Sequence, residues 1–161
     1  MRFLHFLMLL ALAIWIGALS FFPVVAHTAF FDLPSQHLAA LVVRGSLLKL
    51  HWMAFGCGIV FLISSLAYNR AILGRARAFA FSHILIVAML ALTAISQFRI
   101  IPTMEALRVA AGEINTLAPG DPIRAHFESL HVWSTRIEGA VLVLGLILLY
   151  ATSRRLASTR P

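Results

Sequence analysis

The chain has 161 residues, enough for one domain; 61 % are hydrophobic, only 12 % are charged, and the mean hydropathy is +0.92. Soluble domains run near half apolar and a quarter charged, so this composition excludes a soluble globular protein and makes the lipid bilayer the chain's main partner. Thirteen Lys and Arg against six Asp and Glu give a net charge of +7. With so few charged side chains, that excess reads as an orientation signal and requires no nucleic acid.

A hydrocarbon core about 30 Å thick needs about 20 helical residues. The first apolar run covers about 3–26, broken only by His5 and Pro23. It continues through Phe21, Phe22, Val24 and Val25 past the small residues Ala18 to Ser20, so it is expected to stay as a span and not to be cleaved as a signal peptide. Pro34 and Ser35 open the segment 34–49, where Leu38, Leu41, Val42 and Leu48 recur at helical spacing. This segment is expected to lie on the outer interface or to lead into the second span. The second span covers about 50–68 and the third about 76–98. Gly17 in the first run, and Gly56 and Gly58 around Cys57 in the second, are small enough to let helices approach. The lone cysteine leaves no disulfide framework and no paired-cysteine metal site.

After the third span, Pro102 fits a helix's first turn, and Met104, Leu107, Ala111, Ile114 and Leu117 form an apolar stripe. Ala118-Pro119-Gly120 reads as a turn, with Asp121 as N-cap and Pro122 at the first helical position. The uncharged stretch of the last helix, 139–153, would span only about 22 Å at 1.5 Å per residue. The fourth span must therefore start near 132, which brings Arg136 and Glu138 to the membrane as its costliest residues. The expected architecture is all-α: an integral membrane four-helix bundle in one domain, 1–161, with short amphipathic helices over 34–49 and 102–131 forming an outer cap.

Arg2, Arg70, Arg75, Arg77, Arg154, Arg155 and Arg160 fall on one side of this arrangement with no acid among them. The other side carries six cations and all six acids. The positive-inside rule then sets both termini in the cytoplasm, with the protein multi-pass in the plasma (inner) membrane.

Three segments match a known family in order: Trp15 to Gly17 through Phe31-Asp32-Leu33-Pro34 to His51; Pro102-Thr103-Met104 with Ala106-Leu107; and Phe127 through Leu130, His131 and Trp133 to Ser134. Together they resemble the transmembrane protein 205-like family, small four-span proteins with a domain of unknown function. The resemblance implies a four-helix membrane protein and supplies no reaction or substrate. It carries Pro102, Phe127, His131 and Ser134 over as family positions; Arg136 and Glu138 are not among them.

Histidines supply the candidate chemistry. His27 and His51, near the outer ends of spans one and two, are the pair placed to ligate a haem iron such as that of haem b. His126, Glu128 and His131 are the candidates for a metal ion, although no histidine pair has the i, i+4 spacing of a two-ligand helical site. On the fourth helix Glu128, His131, Thr135 and Glu138 share a face with Ser134 beside them, because seven residues bring the helix within about 20° of two full turns. Arg136 points almost opposite to Glu138. The candidates to pair with Glu138 are Arg44, Lys49, His51 and Arg99; those for Arg136 are Gln97 and Glu105. The polar cluster expected from these residues is His131, Ser134, Thr135, Arg136, Glu138, Arg44 and Arg99. No phosphate-binding glycine loop, nucleophile motif or internal repeat is present, so the expected function is non-enzymatic: a structural, partner-binding or ligand-binding membrane protein, a homo-oligomer included. Haem or metal binding, or transport of a cation or proton by a small carrier, are the alternatives.

Overall fold

The computed structural model describes residues 2–73 and 81–158, with side chains described for 2–71 and 81–154. Five α-helices follow in order: α1 Arg2–Asp32, α2 Gln36–Leu73, α3 Phe81–Ile95, α4 Ile101–Ala111 and α5 Pro122–Ser158. Four helical rods, Arg2–Asp32, Gln36–Ala71, Phe81–Ala111 and Pro122–Arg154, are long and apolar enough to cross a bilayer. The chain is thus an all-α four-helix membrane bundle. Arg75, Arg77 and Arg160, and the side chain of Arg155, lie outside the described residues, as does the start expected for the third span at Ala76.

The buried positions explain why these rods associate. On α1 they include Met8, Leu12, Trp15 and Leu19; on α3, Ser82, Ile86, Met89 and Thr93; on α5, Ser134, Val141, Gly145, Leu148 and Thr152. Alternating steps of three and four residues make a seam with a period near 3.5, the pattern of helices packed at a shallow angle. Leu12, Trp15, Ala54, Phe61, Ile86, Met89, Val141 and Leu148 fill the middle of the bundle. Phe3, Ile63, Ile84 and Val143 are exposed on the outside, where acyl chains would meet them.

The segment 34–49 is no separate helix. It leads into the second span, the helix starting at Gln36 as the first turns of α2: Ser35 Oγ accepts the Leu38 N–H at 3.2 Å, and nothing interrupts the backbone ladder from there to Leu73. The third rod likewise continues through Pro102. Proline lacks the N–H that would close an α-turn and its ring crowds the preceding carbonyls. The chain responds with a π-helical turn over Ser96–Ile100, closed by the Ile101 N–H donating to Ser96 O, and α4 resumes beyond it.

α4 ends at Gly112, whose φ of 72° suits glycine. A 3-10 turn over Ile114–Thr116 follows, then a turn at Gly120, φ 94°. Asp121 Oδ1 accepts the Ile123 N–H at 2.8 Å and the Arg124 N–H at 3.4 Å, so it caps α5 as its sequence predicts. The cap is held by Glu105, which takes both Arg108 (2.8 and 3.0 Å) and Arg44 of α2 (3.3 Å), and by Asn115 donating to Gln36.

Close approach falls at two glycines. A Cβ on Gly145 would lie 3.0 Å from Ile16 and 3.1 Å from Met89, and one on Gly58 would lie 2.5 Å from the Leu90 side chain. Gly17 and Gly56 have open space where a Cβ would go. We expect Gly145→Val to destabilise the bundle by about 1–3 kcal/mol through overpacking among α1, α3 and α5. Gly139→Ala, with no atom in reach of its Cβ, should be close to neutral. Unfolding midpoints in detergent would check the contrast.

Candidate functional site

One buried polar layer of the bundle is built by three of the rods. His51 lies on the inward seam of α2, between Leu47, Leu50 and Ala54, and is fully buried. The π-turn presents Ser96 and Gln97, both buried, on the continuation of the Met89 and Thr93 seam. Glu138 comes from α5, one step along the seam from Ser134 and before Val141.

His51 Nδ1 donates to Gln97 Oε1 at 2.8 Å, and its Nε2 meets Glu138 Oε1 at 2.8 Å. Ser96 Oγ donates to the same carboxyl oxygen at 3.2 Å. With Nδ1 carrying the hydrogen for Gln97, the contact between Nε2 and Oε1 holds one further proton. The pair is neutral whichever atom carries it, and a neutral pair is the form that a low-dielectric interior tolerates. The Glu138 side chain is 14 % exposed and that of His51 0 %, so whatever access the pair has runs along the carboxyl group.

Other expected site residues are placed elsewhere. Among the candidates for Glu138, His51 is its partner; Arg44 instead meets Glu105, and Arg99 is exposed with its carbonyl accepting Thr103 Oγ1 at 2.7 Å. Lys49 is exposed. Arg136 meets neither Gln97 nor Glu105. It is exposed, with its guanidinium 5.6 Å from the centre of the Trp133 ring, because it points away from the seam that Glu138 occupies. His131 and Thr135 lie on the other side of Glu138 from the seam that Ser134, Val141 and Gly145 mark; both are exposed, and Thr135 Oγ1 returns to the His131 carbonyl at 3.0 Å. Ser134 alone of that group is buried with Glu138 on the seam. The cluster expected from the fourth helix is therefore corrected: Glu138 joins His51, Gln97 and Ser96, and leaves Arg44, Arg99, Arg136, His131 and Thr135 outside.

The pair considered for haem is not brought together. His27 is exposed, its ring stacked on Phe31 with centroids 6.1 Å apart, whereas both ring nitrogens of His51 are already engaged. Ligation of an iron by His51 would require breaking its contact with Glu138 or Gln97. His126 and His131 are exposed on α5, and Glu128 pairs with Arg124 at 2.8 Å. Among the described residues no three His, Cys, Asp or Glu side chains gather closely enough to hold a metal ion.

The coupling of the pair has a measurable signature. His51→Leu leaves the Glu138 carboxyl group in the bundle without its imidazole, and should cost about 3–5 kcal/mol of stability. The double variant His51→Leu/Glu138→Leu removes both polar groups and should unfold later than the His51→Leu single variant. Additive losses in the double-mutant cycle would show that the two side chains are not coupled.

No curated protein and no solved structure matches this sequence. A family model does match, over residues 10–113, from within α1 to just past α4; it takes in His51, Ser96 and Gln97 and ends before Glu138. That match covers well over half of the chain, which therefore belongs to the family defined by a domain of unknown function, DUF4149.

Proposed function

We propose that the protein is a non-enzymatic, multi-pass protein of the plasma membrane in which the layer of His51, Gln97, Ser96 and Glu138 locks α2, α3 and α5 in one register and so holds the helical cap in shape for a ligand or a membrane partner, a second copy of the chain included. The reading rests on one observation: a fully buried imidazole with both nitrogens engaged, one toward each of two neighbouring rods. A single polar residue at a buried helix seam is a well-attested device for specifying register. The arginine distribution supports cytoplasmic termini and an outward cap, and the ordered motifs from Trp15 to Ser134 support placement in the transmembrane protein 205-like family.

The cap offers a direct test. Gln36 and Asn115 touch across it, so cysteines at both positions, in a Cys57→Ser background, should form a disulfide readily under mild oxidation. His51→Leu should slow that bond several-fold if the buried layer sets the register below the cap; an unchanged rate would remove the lock reading. A membrane-impermeant maleimide should label the Gln36→Cys single variant on intact cells, and labelling confined to lysed cells would reverse the orientation.

One observation favours a second reading, in which the same layer handles a proton or small cation in transport. His51 and Glu138 hold one proton between two titratable groups, and Glu138 retains slight exposure. In proteoliposomes under a pH gradient, Glu138→Gln should then abolish any flux carried by the wild-type protein. Equal flux in both, or none in either, leaves the lock as the sole role of the layer.

A further inference from the structure

A second polar layer lies at the opposite end of the bundle, where all four membrane-crossing rods meet. His5 of α1, Ser65, Tyr68 and Asn69 of α2, Ser82 of α3 and Thr152 of α5 line a cavity of about 20 Å³. Apart from half-buried Tyr68, these side chains are each at least nine-tenths buried. Apolar side chains on either side, Met8 and Phe61, close the wall.

The hydrogen-bond inventory of this cavity is unbalanced. Asn69 Nδ2 is buried and has no hydrogen-bond partner among the described residues. An amide donor left unmet in a buried site bears its desolvation penalty with nothing to offset it. Around it stand groups with capacity to spare. Thr152 spends its hydrogen on the Leu148 carbonyl at 2.7 Å and keeps oxygen lone pairs, and the Ser65 and Ser82 hydroxyls can donate or accept. The His5 ring sits edge-on to Tyr68, with centroids 4.0 Å apart.

Volume and charge together select the occupant. A space of this size admits about one water molecule, which needs two to four polar partners, and the lining provides six polar side chains. No carboxylate is among them. A bare cation would bring its charge into the bundle with nothing of opposite sign to meet it, a cost that a neutral ligand avoids.

We propose that this cavity is a binding site for a single water molecule, which accepts from Asn69 Nδ2 and donates to the surrounding hydroxyl or imidazole acceptors. With one bond accepted from α2 and two hydrogens to donate, it links α2 to up to two further rods, α1 among them through His5, whereas the His51 layer leaves α1 out. The site stands independently of the function proposed for that layer.

Solid-state NMR on wild-type protein in lipid bilayers tests the assignment without any variant. The Asn69 side-chain amide should show a cross-peak at the water frequency that persists in water-edited spectra, and exchanging sodium for choline in the buffer should leave its shift unchanged. Absence of the cross-peak would show a dry cavity and overturn the proposal. A sodium-dependent shift of the Asn69 amide would overturn it in favour of a cation site.

Discussion

The layer of His51, Gln97, Ser96 and Glu138 is the one polar constraint in the cap-side half of the bundle that three of the four spans share among the described residues. In the hydrocarbon region a helix gains little from hiding apolar groups, because the lipid is as apolar as its neighbours. Packing at Trp15, Phe61 and Met89 holds the rods together, and the close approaches at Gly58 and Gly145 already disfavour a slide that would set a larger residue there. A buried imidazole that must satisfy two nitrogens at once adds to this. A slide of one turn, about 5.4 Å, would carry Glu138 or Gln97 out of hydrogen-bond reach.

The energy of this device is specific more than large. Interhelical hydrogen bonds in membrane bundles average only about 0.6 kcal/mol in double-mutant cycles. Loss of one partner from a buried ion pair costs several times more, since the survivor stays where it cannot be solvated. The second magnitude governs here: the layer contributes little beyond what an apolar layer would, yet penalises heavily any arrangement in which its members are apart. The proposed lock on register rests on that asymmetry. Pro102 takes part through the backbone. By preventing an α-turn it produces the π-turn, and the extra residue in that turn keeps both Ser96 and Gln97 on the buried side of the rod. The proline thus acts on the His51 layer from six residues away.

The four rods, the turn at Gly120 and the cap at Asp121 are legible in the sequence because they depend on local rules: run length, proline position and N-cap chemistry. Glu138 is legible as a costly residue, with His51 among its candidate partners. Ser96 and Gln97 are not, because the partner of a buried group depends on which seam faces which, and that is settled by packing across the bundle. A signal was available in the 3.5-residue period from Ser82 through Met89 and Thr93 to Ser96, which continues a buried stripe into polar residues. The cavity beside Asn69 is less legible still. It joins residues from positions 5, 65, 69, 82 and 152, brought together only when all four rods pack. The face shared by Glu128, His131, Thr135 and Glu138 is real as an angle on a helix, but the buried seam through Ser134, Val141 and Gly145 is centred to its side and meets it only at Glu138.

The fourth span shows how position along a rod and direction around it act together. An uncharged stretch of about 22 Å is too short for a hydrocarbon core of about 30 Å, so two charged residues must lie near or within the membrane. Arg136 and Glu138 are two positions apart, about 200° around the helix, and this lets one helix meet the same difficulty in two ways. Glu138 turns into the bundle, where His51 meets its Oε1 and Ser96 donates to the same oxygen. Arg136 turns outward, where its long side chain can rise toward the interface while its guanidinium rests near the Trp133 ring. Exchanging the two would fail on both counts. A glutamate facing lipid has too short a side chain to reach the headgroups, and an arginine in place of Glu138 would bring a positive charge to the His51 layer with no acid there to meet it.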